Sequence, residues 1–371
     1  MVVSQKHVAM TIFQRDGKIS LTKATLADLA GIKDAIKHLA AQEGFVAVGI
    51  VPTGPVAEAE RFMRFLSLGY HAGMDWLVRN SKQRCDTRFL LPEGAGKAGS
   101  IICLAISYAP SGREETSARF WIARYARGRD YHRILRKRCK RIVSEISKLI
   151  SGLFSRICVD TAPILERSLA AAAGLGWIGK NGCLVNPKYG SYLLLAEIIT
   201  NLPLEPDKPM ENGCLSCKAC VESCPTRALT GDGLLDANRC VSYLTIEHRG
   251  IIPDEFKMAC SRWLFGCDTC QEACRYNRNV PAGDAELITL NAVAKITPRD
   301  VLNWSKADWD HFTRGLTVRR AKYEMFLRNA AIAAVSEGGD DEVRRLLMRL
   351  SRHESPIVAD AARWSLSQMS V

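Results

Sequence analysis

Apolar positions along residues 22–200 switch repeatedly between a helical and a strand period. In 22–44 (TKATLADLAGIKDAIKHLAAQEG), Leu26, Leu29, Ile32, Ile36 and Leu39 recur at helical spacing, so the spacing predicts one amphipathic helix with these five on a shared face. FVAVGIVP (45–52) reads as a strand and 56–68 as a helix. SIICLAISYAP (100–110) is nearly continuous in apolar residues, the pattern of a strand covered on both faces, and Pro110 stops it. RICVDTAP (156–163) reads as a further short strand, 164–174 as a helix ending at Gly174, and 184–200 as a hairpin turning between Asn186 and Gly190. Helices and strands mixed in this way imply an α+β or α/β domain.

The pattern changes twice beyond it. PLEPDKPMENG (203–213) carries three prolines and marks a boundary. From Val318 the chain reads as short helices: VRRAKYEMFLRNAAIAAVSEG, DDEVRRLLMRLSRH and SPIVADAARWSLSQM, the last with Ser355 as N-cap and Pro356 in the first turn. Ala-rich helices of this size fit a short HEAT-like solenoid segment. The expected division is a polar extension (1–20), an α+β domain (21–205), a cysteine-rich domain (206–285) and a helical tail (286–371).

The cysteine-rich segment carries the sharpest chemistry. Residues 214–274 hold nine of the fourteen cysteines. Cys214-x2-Cys217-x2-Cys220-x3-Cys224-Pro225 has bacterial ferredoxin spacing, in which three cysteines wrap one cubane and the fourth ligates another. One such run implies a second. Cys267-x2-Cys270-x3-Cys274 supplies three thiols, and Cys240, separated from Cys267 by a 26-residue insertion, supplies the fourth. Pseudo-symmetry then assigns Cys214, Cys217, Cys220 and Cys274 to one [4Fe–4S] cluster, and Cys224, Cys240, Cys267 and Cys270 to the other. Zinc knuckles offer a weaker match, because zinc has no use for the triple run. Cys103 and Cys158 lie in apolar runs and read as core; Cys85, Cys139, Cys183 and Cys260 have no assigned role. Two adjacent clusters imply a redox centre elsewhere on the chain, or an electron-transfer partner.

Composition narrows the setting. Hydrophobic residues make up 47% and charged residues 24%, as in ordinary soluble proteins, and no run of apolar residues is long enough for a membrane span. The N-terminus has no secretory pattern, so the expected location is the cytoplasm, where clustered cysteines point to metal or catalysis. Net charge is +12, which points to a polyanionic partner, nucleic acid first, or equally to a solvated basic surface. Residues 119–148 concentrate it: eleven Lys or Arg against Asp130 and Glu145, with Leu135, Cys139, Ile142, Ile146 and Leu149 at helical spacing. One face of that helix is expected to pack and the other to be cationic.

Asp160 ends an apolar stretch and faces the glycine-rich G174-L175-G176-W177-I178-G179-K180-N181. It suits a proton donor beside a flat ligand, or, more plainly, a helix N-cap. As a donor it needs burial or nearby negative charge, since a free aspartate has a pKa of about 3.9. Gly174, Gly176 and Gly179 are expected to let backbone approach a ligand, although they follow a helix and so do not match a dinucleotide fingerprint. Asp130-x-His132 begins like a cobalamin-ligating D-x-H-x-x-G, but Leu135 stands where glycine is needed.

YARGRDYH (125–132), VDTAPILERSLAAAAGLGWIGKN (159–181), NPKYGS (186–191), CLSCKACVESCPTRAL (214–229), RCVSYLTIEHRG (239–250) and GCDTCQEAC (266–274), in that order, resemble the epoxyqueuosine reductases over roughly residues 22–371. The resemblance implies a flavin-reductase-like α+β domain that binds cobalamin, related to that of reductive dehalogenases, then a ferredoxin-like two-cluster domain and the HEAT-like tail. It implies reduction of epoxyqueuosine to queuosine at the wobble position of tRNA, with Asp160 as general acid. Asp160, Leu184, Ser242, Cys267 and Asp268 would lie at cobalamin, and Arg249 would touch the tRNA anticodon stem-loop. Its eight cluster cysteines coincide with the assignment above. Arg275 departs from the family's usual proline, and GCL (182–184) from its usual threonine-leucine context. A monomer fed by an external electron donor is expected. The alternatives are a reductive dehalogenase-like corrinoid enzyme on a small molecule, which would carry a twin-arginine signal and lack the tail, and a non-catalytic ferredoxin-type electron carrier.

Overall fold

Four strands form the central sheet: β1 (Ala47–Pro52), β2 (Ser100–Ser107), β3 (Ser155–Cys158) and β4 (Leu193–Thr200), in the order β1-β2-β4-β3 and antiparallel throughout. The structure is a computed structural model, and it describes residues 18–21, 24–92, 99–110, 121–337 and 340–369. All eight residues of β2 are buried, as its unbroken apolar run requires of a strand covered on both faces.

Helices α1 (Leu26–Gln42), α2 (Ala59–Ser67), α3 (Tyr131–Leu149) and α4 (Glu166–Ala172) surround this sheet. α1 and α3 cover one face, where Ile32, Ile36, Leu135 and Ile142 meet Leu104 and Ile198. α4 covers the other, where Leu169 and Ala170 meet Ile101, Cys103 and Ile199. Thr25 starts α1 with a reciprocal capping box to Asp28. The expected apolar face of α1 holds at Ile32, Ile36 and Leu39, but Leu26 is 86% exposed: it sits in the first turn, ahead of the sheet.

Several expectations change. The helix expected over 119–148 starts at Tyr131, because Asp130 caps it by accepting the His132 amide; residues 119 and 120 lie outside the described residues. Its apolar positions Leu135, Cys139, Ile142, Ile146 and Leu149 are all buried. Its cationic face is partly neutralised within the chain: Arg138 is buried against Asp284 and Glu286, and Arg141 pairs with Glu43. The strand at 156–163 ends at Cys158. The hairpin at 184–200 is not one. Asn186 and Gly190 do exchange backbone hydrogen bonds at 2.8 and 2.9 Å, yet Leu184–Val185 pairs with Trp177–Ile178 while β4 joins β2 and β3. The turn is local chemistry; strand partners are chosen by which faces need cover. Of the 1–20 extension, residues 1–17 lie outside the described residues, and Ile19–Ser20 pairs in parallel with Ile150–Ser151.

A third core joins the cysteine-rich segment to the tail. The stretch between Cys240 and Cys267 forms α5 (Val241–Ile246) and α6 (Asp254–Cys260). They pack on the tail helices α7 (Tyr323–Ala333), α8 (Asp341–Leu350) and α9 (Pro356–Gln368) through Leu244, Phe256, Phe326, Leu347 and Val358. Ser355 occupies the N-cap position of α9, but its hydroxyl donates to Glu324 rather than capping. Two buried cations stitch this joint. Lys257 donates to Asp254 and Asp360 at 2.6 Å each. Arg328 donates to the carbonyls of Leu244, His248 and Gly250 and so shapes the loop that presents Arg249. Among the described residues no helix is long and apolar enough to cross a membrane.

Candidate redox and proton-transfer site

The two halves of the cysteine pattern meet in space. Cys214, Cys217, Cys220 and Cys274 line one small cavity, together with Val185 and Tyr276. Cys224 and Cys267 are the thiol neighbours that act on Cys240 or are acted on by it, and Cys270 lies against both Cys240 and Cys267. The fourth cysteine of each run is thus carried to the other run's group, the crossing that ferredoxin spacing requires.

Local structure explains how. Lys180 donates to the carbonyls of Leu215 and Cys217 at 2.7 and 2.9 Å, pinning the first cysteine loop to the glycine-rich segment. Arg275, standing where the family has proline, donates to Gly213 O at 2.9 Å and ties the end of the second run to the start of the first. Donors surround the sulfurs: Trp177 Nε1 lies 3.4 Å from Cys214 Sγ, and the Ala228 amide 3.3 Å from Cys224 Sγ. The amides of Ser242 and Tyr243 face Cys240. Burial pushes the Cys267 thiol up to about 12. Thiolates gathered out of water need a compensating positive charge, which an iron–sulfur core supplies; the donor set fits two such clusters.

Beside the cysteines opens a cleft of about 530 Å³, walled by Phe62, Phe65, Trp76, Leu77, Leu193 and Leu235, with Arg84, Asp160, Glu166 and Arg167 on one side. Asn181 borders both this cleft and the first cysteine cavity. A broad apolar wall with a few polar groups suits a large flat ligand. The buried Nε of Arg84 and Nδ2 of Asn181, both on residues lining the cleft, have no hydrogen-bond partner among the described residues. The wall and its charged rim, with Arg84, Asp160, Glu166 and Arg167, are what a flat macrocycle edged with polar groups needs, and on that lining the cleft fits cobalamin.

Asp160 lines this cleft with a φ of +58°, a conformation that aspartate tolerates better than most residues. It caps no helix. Its Oδ2 lies 3.1 Å from His132 Nε2, while His132 Nδ1 lies 2.6 Å from Asp130. Burial alone would lower the imidazole, but the bonds to Asp130 and Asp160 outweigh it and push it up to about 9. At neutral pH His132 therefore carries a proton, and the Asp160 carboxyl beside it is 56% exposed. Because the folded value lies above the unfolded one of about 6.5, the contribution to stability is complete at lower pH and is lost as pH rises through about 9. An NMR titration of the His132 ring is expected to show a midpoint near that value, moved down in Asp160→Asn.

Of the other named positions, Leu184, Ser242, Cys267, Asp268 and Arg249 do not line this cleft. Leu184 is buried in the core under α4. Ser242 is half-buried beside Cys240. Asp268 is 1% exposed, accepts the Arg124 amide at 2.6 Å, and leaves its Oδ1 without a partner among the described residues. Arg249 is exposed next to Glu247, which also holds Arg320 at 2.6 Å. Arg320 in turn lies close enough to feel the charge of Asp160, so the tail's cations border the acid. Gly174 and Gly176 admit the chain's own backbone rather than a ligand: a Cβ at Gly176 would meet Val185 O at 2.2 Å, and one at Gly174 would meet Lys208 O at 2.4 Å. Sequence reasoning missed His132 as partner of Asp160, and also Glu166 and Glu197. A lone glutamate inside LLLAEIIT was the available signal for Glu197.

Residues 213–277 match the family model described as "4Fe-4S double cluster binding domain", and residues 84–161 match "Epoxyqueuosine reductase QueG, DUF1730". The chain is 34% identical over 351 residues to the epoxyqueuosine reductase of Vibrio cholerae, covering 92% of this chain and 93% of that one. Its fold matches a crystal structure of an epoxyqueuosine reductase with an epoxyqueuosine-modified tRNA-Tyr stem loop: TM-score 0.84, 28% identity, 92% and 91% of the two chains covered. It also matches the Bacillus subtilis epoxyqueuosine reductase with its catalytic aspartate loop swung out of the active site: TM-score 0.81, 27% identity, 92% and 91% covered.

Proposed function

The chain belongs to the epoxyqueuosine reductase family, and on that footing we propose that it reduces epoxyqueuosine to queuosine in tRNA, with two [4Fe–4S] clusters and cobalamin as cofactors and Asp160 delivering the proton. The observation that carries this reading is Asp160 itself: an acid on a left-handed turn, bonded to a protonated imidazole, lining a cleft that shares Asn181 with a cysteine cavity.

Cys214, Cys217, Cys220 and Cys274 hold one cluster, and Cys224, Cys240, Cys267 and Cys270 the other, in the ferredoxin-like unit of 206–285. When bound, cobalamin would supply the reducing equivalents for C–O cleavage, and the clusters would supply it with single electrons from an external donor. The cleft in the flavin-reductase-like domain of 21–205 excludes water from the cofactor face with Phe62, Phe65 and Leu193. Ser242, Cys267 and Asp268 would meet the cofactor from the cluster side, with Leu184 behind them. Opening the epoxide leaves an alkoxide. Asp160 protonates it and His132 Nε2, bonded to the same carboxyl, restores the proton.

The tRNA stem-loop lies across the mouth of the cleft, on Arg249, Arg320 and the exposed Arg136, Lys137 and Lys140 of α3, and is backed by the HEAT-like tail. Affinity then falls steeply with salt. Arg249→Ala is expected to weaken binding and to reduce the slope of log K against log[salt] by about one, read by filter binding across a salt series.

The test of the function is direct. The full-length protein is reconstituted anaerobically with iron, sulfide and cobalamin, supplied with a chemical reductant, and given epoxyqueuosine-containing tRNA. Queuosine is expected by nucleoside mass spectrometry; unchanged epoxyqueuosine at full cofactor loading overturns the proposal.

A further inference from the structure

Glu197 is the one acid of β4, and it is fully buried. Its register places it between Cys103 on β2 and Cys158 on β3, on the face that α4 covers. No protein donor among the described residues reaches either of its carboxyl oxygens. An ionised carboxylate there would be a buried charge without a counterion, which costs several kcal/mol. The acid must therefore be neutral, and its O–H needs an acceptor. The polar group that faces it is the carboxyl of Glu166, at the start of α4.

Glu166 has a second engagement. Its Oε1 accepts the backbone N–H of Asp160 at 2.6 Å. The same turn is held at its far end by Arg84, which donates to Ile164 O at 3.0 Å. Within the turn itself the Thr161 amide donates to Val159 O at 2.6 Å across Asp160, and Glu166 is the side chain that holds the Asp160 amide. The charged or titratable groups around the pair are Cys103, Cys158, Cys139, Tyr131, Asp160, Arg84 and Arg167. The thiols are neutral, burial having raised them. Two adjacent carboxyls with this little compensation share one proton. The proton belongs on Glu197: Glu166 is half-buried and has an N–H donor, and Glu197 has neither advantage.

We propose that Glu197 is a positioning residue: it keeps its proton, donates it to Glu166, and thereby aims the other Glu166 oxygen at the Asp160 amide, latching the turn that carries the acid. The consequence for turnover rests on the reading of Asp160 as proton donor; the latch itself does not.

Amide hydrogen exchange of the holoenzyme, read over residues 159–165 at neutral pH, tests it. Glu197→Gln keeps a donor toward Glu166 and is expected to retain wild-type protection. Glu197→Leu and Glu166→Ala are expected to speed exchange in this segment about tenfold, the loss of one buried hydrogen bond. Infrared spectra should show the C=O stretch of a protonated carboxylic acid at neutral pH that disappears in Glu197→Gln. If Glu197→Leu does not fold, the half-buried Glu166→Ala carries the exchange measurement. Wild-type exchange in Glu166→Ala, equal loss in Glu197→Gln and Glu197→Leu, or absence of the acid band overturns the latch. Asp160→Asn separates the two readings: unimpaired turnover removes Asp160 as the acid, while the exchange result still decides the latch.

Discussion

Asp160→Asn is expected to lower turnover of epoxyqueuosine tRNA by about 10²- to 10⁴-fold, the usual contribution of a positioned general acid. Asparagine keeps the size of the side chain and tolerates the positive φ at this position. It also keeps a hydrogen-bonding oxygen toward His132. What it lacks is a group that can pass a proton to an alkoxide. The turn should therefore stay folded, tRNA affinity and cluster content should match wild type, and the loss should appear in kcat. Single-turnover mass spectrometry with prereduced enzyme isolates the chemical step. A loss confined to KM, or none at all, would show that the proton comes from elsewhere. His132→Gln gives the complementary measurement: it leaves Asp160 in place but removes the imidazole that restores its proton, so repeated turnover suffers more than the first.

The second large effect lies at the clusters. Cys240→Ser is expected to halve iron and acid-labile sulfide and to take turnover driven by an external donor down to background. Cys240 sits apart from both tight runs in sequence, yet Cys224, Cys267 and Cys270 are the thiols around it. A hydroxyl at this position loses the soft, readily ionised ligand a cubane needs. The other cage, lined by Cys214, Cys217, Cys220 and Cys274, contains no part of this change. The EPR signal of one reduced cluster should remain. Loss of both signals, or of neither, contradicts the crossed assignment. Cys260 provides a control: it is buried in the core beside the tail, so Cys260→Ser is expected to change stability more than iron content.

What could be read from residues alone was whatever depends on near neighbours along the chain. Ferredoxin spacing is such a case, because three thiols on one loop must reach three corners of one cubane. The unbroken apolar run of β2 is another: only a strand with both faces covered can carry it, and all eight residues are buried. The helical spacing of Leu135, Cys139, Ile142, Ile146 and Leu149 correctly marked the buried stripe of α3. Where the reading went wrong, a correct local signal was extended too far. Asn186 does make its turn, accepting the amides of Lys188 and Tyr189, but the flanking strands go to different sheets. Leu26 has the right period for the core face of α1 and lies beyond the sheet's edge.

The sequence by itself determined the cluster-binding chemistry and many of the helices and strands, and it singled out Asp160 as the proposed proton donor. The tertiary structure decided what surrounds that donor. His132 lies 28 residues from Asp160 and Glu197 lies 31 from Glu166, in different elements, and neither pairing leaves a periodic trace in the chain. The first exists because α3 and α4 pack on opposite faces of one sheet, leaving the turn between β3 and α4 where the two layers meet; the second exists because α4 lies on the face of β4 that carries Glu197. Spacing constrains groups that share a loop or a helix face; the protonation of a carboxyl depends on burial and on charges brought from distant segments, and those are set when the layers close.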